Sequence, residues 1–170
     1  MKETSEWILK AMRIFAWIIF VWMLVKAGAM IMAYGASVEN PEGAKDLYGG
    51  LDLSRYYQAS FIHYTIIVFY YFLQYLLLAY IALFATRLLS EETLENVYSA
   101  TVANILQKIS VTILSVFVIC ILHNIHTFIL EKYAEIQAEA FSGESIFMAG
   151  MIYVLSVVFL KSIDGKLKAD

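Results

Sequence analysis

Proline and cysteine are almost missing from this sequence: Pro41 and Cys120 are the single examples of each in 170 residues. A lone cysteine excludes an internal disulfide, and its place inside an apolar run makes Cys120 a small packing hydrophobe, so cysteine usage says nothing of redox compartment. The apolar runs contain no proline, which removes the broken helices on which midplane transport sites are commonly built. Charge is scarce too, at 16% of residues against about 25% in a soluble domain. A net charge of -3 leaves no general basic surface, so nucleic acid is not an expected ligand. There is no glycine-rich phosphate loop, nucleophile elbow, CxxC, HExxH or acidic metal cluster, and no His and acid set accompanies Cys120. These absences point away from a self-contained enzyme.

What is present is apolar: hydrophobic residues make up 61% of the chain and its mean hydropathy is +0.70, so the bilayer is the expected solvent. A spanning helix needs roughly 20 apolar residues. Four stretches qualify, at about 7–34, 61–88, 102–130 and 145–160. No ten-residue alternation marks a barrel, so helices that satisfy their own backbone are expected. The predicted fold is all-α: one membrane domain over 1–170, built as a four-helix bundle. Residues 33–36 imitate a leader cleavage site, but the preceding apolar run is too long for a leader and reads as a membrane helix.

Lys2, Lys10, Arg13, Arg87, Lys108, Lys161, Lys166 and Lys168 fall on one side of these spans, against Lys45, Arg55 and Lys132 on the other. The richer side is predicted to be cytoplasmic, with both termini on it and the chain integral to a plasma membrane. The opposite loops collect acids: Glu39, Glu42, Asp46 and Asp52, then Glu131, Glu135, Glu139 and Glu144. The outer loop at 35–58 carries Asn40-Pro41-Glu42-Gly43 and Gly49-Gly50 turn signals, with Leu51, Tyr56 and Tyr57 suited to headgroup level. It is the expected external contact surface. On the cytoplasmic side, Ser90-Glu91-Glu92 reads as a capped helix start. The resulting helix, at 90–101, leads into the third span with Leu94, Val97, Tyr98, Thr101 and Ile105 on one face and Glu91, Glu95 and Asn96 elsewhere.

The run Leu88-Leu89-Ser90-Glu91-Glu92-Thr93-Leu94-Glu95-Asn96, between a second and a third span, resembles DUF2975, a bacterial family of four-span membrane proteins without an assigned reaction. The resemblance covers about residues 60–165. Two features depart from it: the family usually has Pro-Phe before the serine, where this chain has Leu88 and Leu89, and it often closes on an acidic tail, where this one has Lys166, Lys168 and Asp170. The resemblance implies a bacterial inner membrane location and a membrane partner for a small transcription regulator. The surface to suspect is then the 90–101 helix, with Ser90, Glu91, Glu92, Leu94, Glu95 and Tyr98, together with the tail from Lys161.

Polar residues inside the spans are the remaining candidates. Lys26, His63, His123, Asn124 and His126 all belong to the outer half of the bundle. A bis-histidine haem b site would join His63 to His123 or His126; the plainer expectation is that these histidines hydrogen-bond to water, headgroups or a neighbouring helix. Met30, Met32, Met148 and Met151 add a copper reading, since thioether and imidazole suit Cu(I), although methionine also simply packs. Lys26 is expected to snorkel to the outer headgroups, and Gln74 to bond across helices. The overall expectation is a cofactor-free membrane protein, bathed in lipid, that binds or regulates another protein, either a transcription regulator or a second membrane protein. A haem- or metal-binding protein is the first alternative. An oligomeric channel or transporter subunit is the second.

Overall fold

A computed structural model describes residues 2–45, 47, 51–90 and 99–134, with 151, 153, 154, 157, 158, 160, 161 and 165 in the C-terminal stretch. The described residues are helical or in short connections, without a strand. Helix α1 is Lys2–Glu39, a 3-10 turn is Pro41–Lys45, α2 is Ser54–Ala59, α3 is Phe61–Leu88 and α4 is Ala100–Ala134. Three stretches, Trp7–Glu39, Phe61–Leu88 and Ala100–Lys132, are long and apolar enough to cross a membrane. The stretch expected to form a fourth span, 145–160, lies largely outside the described residues; those described within it are helical.

Helix α1 runs past the expected boundary at 34 because residues 35–39 contain no proline, and the single Gly35 is tolerated within it. It stops where Pro41 forbids continuation: the residue before a proline is pushed out of the α region, and Asn40 has left the helix. The Asn40 side chain then accepts the Glu42 N–H at 3.1 Å, an Asx turn that starts the 3-10 segment. Glycine suits position 43, since a Cβ there would come within 3.2 Å of the Ser37 backbone.

The loop expected at 35–58 is therefore partly helical at both ends, and its middle folds back onto the bundle. Leu47 N–H donates to Leu51 and Leu53 N–H to Ala44. Asp52 starts α2 by accepting the Ser54 N–H at 2.8 Å. Ala44, Leu47, Leu53 and Tyr56 are buried together with Met30, Tyr64, Ile67, Val68 and Leu130. This plug joins the loop to α1, α3 and α4 at one end of the bundle.

Helices α1 and α3 pack antiparallel, as Tyr34 with Thr65, Ser37 with Tyr64 and Lys26 with Tyr75 require. Helix α4 packs antiparallel to α3, through Phe84 with Ile109 and Ile113 at one end and His63 with His126 at the other. Tyr153 and Leu160 of the C-terminal stretch pack against the α3–α4 seam near Phe84 and Leu106. The antiparallel registers bring Arg13, Arg87 and Lys108 to one end, where Arg87 and Lys108 both lie over the Phe84 ring. The plug occupies the other end.

Helix α4 has a side-chain cap at its start. Ser99 is a bend, and its hydroxyl accepts the Val102 N–H at 3.3 Å, which makes Ser99 the N-cap of α4. The helix expected at 90–101 therefore meets the third span at a serine that bonds to the backbone three residues on. Residues 91–98 lie outside the described residues.

Candidate functional site

At the plug end, His63 of α3 and His126 of α4 meet directly, with Nδ1 of His63 3.0 Å from Nε2 of His126. One ring donates and the other accepts, so the bond survives only while at least one of the two is neutral. Nδ1 of His126 is buried and has no hydrogen-bond partner among the described residues. Its best use is as an unprotonated acceptor, with Nε2–H donating to His63, because an unpaired N–H is the costlier orphan.

His123 lies one turn deeper on α4 and is 1% exposed. Its ring stands edge-on to Tyr70 and Tyr71, at centroid distances of 5.7 and 5.4 Å, and its Nδ1 is 3.3 Å from Oδ1 of Asn124. Tyr70 also meets His126 edge-on at 6.0 Å. The two histidines of α4 are thus separated in role: His126 joins His63, whereas His123 is walled in by tyrosine rings.

With metal–nitrogen distances of about 2.0–2.1 Å, two imidazole nitrogens trans across a metal, as in a bis-histidine haem, are about 4 Å apart, whereas these two stand at hydrogen-bond distance. Among the described residues no group of three or more His, Cys, Asp or Glu converges as a metal-ligand set. Met30, named above as a copper donor, is fully buried in the plug, and Met32 is 79% exposed on the far side of α1.

Lys26 is half-buried on α1. Its Nζ lies 5.8 Å from the Trp22 ring centroid and 5.4 Å from that of Tyr75. Helical side chains lean toward the N-terminus, and Lys26 reaches back along α1 to Trp22, away from the plug end. Gln74, one residue from Tyr75, is half-buried, and among the described residues no side chain or carbonyl hydrogen-bonds to it. The expected cross-helix bond of Gln74 is therefore not present there.

Of the surface expected at 90–101, Ser90 lies just beyond the end of α3. Glu91, Glu92, Leu94, Glu95 and Tyr98 lie outside the described residues. Sequence reading missed Trp22 and Tyr75 beside Lys26, Tyr70 and Tyr71 around His123, and Ser99 as a cap. Trp22 carried a signal, being four residues before the lysine and so on the same face. The tyrosines become legible only once the antiparallel registers are known. No described protein family, no curated protein and no solved structure matches this chain.

Proposed function

We propose that the chain is a four-span, cofactor-free membrane protein, with both termini cytoplasmic, that holds another protein in the bilayer through α1. The observation that carries this reading is how little of α1 is used by its own fold. Only 17% of its most apolar stretch is buried, against 44% in α4. All three tryptophans of the chain, Trp7, Trp17 and Trp22, are on α1 and are 76%, 46% and 53% exposed. Lipid tails cover Ile and Val without loss, but an indole N–H wants an acceptor that hydrocarbon lacks. Exposed tryptophans are also favoured anchors of protein interfaces.

The same reading leaves the plug and the histidine pair as structural parts. They fix the α1–α3 and α3–α4 registers and so set the attitude of α1. A cytoplasmic regulator of the kind the DUF2975 resemblance implies would meet the segment between Ser90 and Ser99. A photoreactive residue placed at Ile18 or Val25, both exposed on α1, tests the proposal in native membranes. The expected result is a discrete protein adduct from these positions and none from the buried Ala27. Adducts with lipid alone, or substrate turnover or ion conduction by the purified protein in liposomes, would overturn it.

A further inference from the structure

Lys26 of α1 has no counter-ion at its own depth among the described residues. Lys26 is thirteen residues from Arg13 and thirteen from Glu39, or about 20 Å from each end at 1.5 Å per residue. With about 30 Å of hydrocarbon to cross, that places it at the middle of the span. No Asp or Glu occurs between Glu6 and Glu39, between Asp52 and Glu91, between Glu95 and Glu131, or between Glu144 and Asp164. Every span therefore lacks a carboxylate, and a second copy of the chain would lack one equally.

A charged lysine at mid-bilayer costs about 2.5–3.5 kcal/mol on insertion scales. Two aromatic faces offset part of that, but they do not accept its N–H groups. At the level of the lysine are two further polar groups for which no hydrogen bond is seen among the described residues. Gln74 is level with Lys26 by the α1–α3 register, with Tyr75 beside it, and no hydrogen bond reaches its amide among the described residues. Trp22 is 53% exposed and only about 6 Å along the helix from Lys26, well inside the headgroup belt where indoles are normally satisfied. Beyond Lys26, α1 carries Ala29 and the exposed Ala36, small enough to let another helix approach closely, while Ala33 between them packs on the core.

We infer that Lys26, Trp22 and Gln74 form a docking site for a transmembrane helix of a different protein that carries one Asp or Glu near its midpoint. This rests on the partner-holding reading above and names the partner's chemistry. The carboxylate accepts from the lysine ammonium and the indole N–H, and the glutamine amide supplies a third donor. A helix with its carboxylate near an end cannot reach the lysine, and a helix with none leaves the ammonium unpaired.

The test uses the full-length protein in phosphatidylcholine vesicles with a synthetic leucine–alanine helix of membrane-spanning length bearing one central Glu. Association is read by energy transfer between labelled termini. The Glu helix is expected to associate about tenfold more tightly than the same helix with central Gln, the size of a strong interhelical polar contact. That preference should vanish in Lys26→Leu, which is easier to insert than the parent, and persist in Lys26→Arg. Equal association of the Glu and Gln helices, a preference that survives Lys26→Leu, or the same response to a Glu near the helix end would overturn the inference. Self-association of the protein alone that is lost in Lys26→Leu would make the occupant a second copy and overturn it as well. Protein adducts from Ile18 and Val25 would still stand in those cases, so failure of the ion-pair chemistry is separable from failure of the partner reading.

Discussion

Tyr64 has one hydrogen bond and a large packing role, and the two are separable by substitution. Ser37 donates its hydroxyl to the Tyr34 carbonyl at 2.7 Å, which leaves the Tyr64 hydroxyl to donate to Ser37 at 2.6 Å. Tyr64 is fully buried and its ring meets Tyr34, Tyr57 and Phe61. Tyr64→Phe is expected to cost about 1 kcal/mol and Tyr64→Ala about 3–5 kcal/mol, read by reversible unfolding in mixed micelles. Equal losses would mean the ring contributes nothing beyond its hydroxyl. Glycine gives a similar pair. Gly43→Ala pushes a methyl against the Ser37 backbone, which cannot give way, and should cost about 1–3 kcal/mol. Gly28→Ala meets nothing within 4 Å and should be neutral or gain about 0.5–1 kcal/mol from helix propensity. The same assay decides both. Single residues were the least legible level of this sequence. Lys26 was readable as an intramembrane charge, but where its ammonium goes depends on Tyr75, which lies on another helix 49 positions away.

Elements were legible where hydropathy is continuous and illegible where local side-chain bonds decide. The three described spans follow from apolar length alone, because the backbone in hydrocarbon has no alternative to helix. Their ends do not: α1 stops at Pro41 rather than at the first polar residue, and the start of α4, just ahead of the span expected at 102, is set by the Ser99 cap. Ser99→Ala removes an acceptor from the first turn of α4 and is expected to cost about 1 kcal/mol, seen as faster amide exchange at Val102 with the far end of α4 unchanged. Unchanged exchange at Val102 would deny Ser99 the capping role. Helix α2 depends on pH for the same kind of reason. Hydrogen bonds from the Ser54 side chain and N–H hold the Asp52 carboxyl below its usual range. The contribution is therefore complete above about pH 4, the ordinary carboxylate value, and is lost as pH falls through the lower folded value. Protection of the Ser54 amide should decline on acidification below that point in the native protein. It should be weaker and flat in Asp52→Asn, and a flat profile in the native protein would remove Asp52 from the start of α2.

At the scale of the whole molecule, the polar ends of the bundle differ in kind, and that difference carries the topology. One end has Arg13 and Arg87 level with each other and Lys108 sharing the Phe84 ring with Arg87. The other has the folded plug with a Lys45–Glu42 ion pair at 2.6 Å, exposed to solvent. Positive residues in short loops resist translocation, whereas a compact turn with its charges paired does not. The plug end should therefore face outward and the arginine end inward. Glu42→Cys and Arg87→Cys, made singly, place a thiol at each end on exposed residues, while native Cys120 is buried and gives a low background. A membrane-impermeant maleimide applied to intact cells is expected to label Glu42→Cys at once and Arg87→Cys only after permeabilisation. The reverse order would invert the molecule and move the histidine pair to the cytoplasmic leaflet. It would leave Lys26 at the same mid-bilayer depth, because a central lysine is equally far from both surfaces whichever way the chain is threaded.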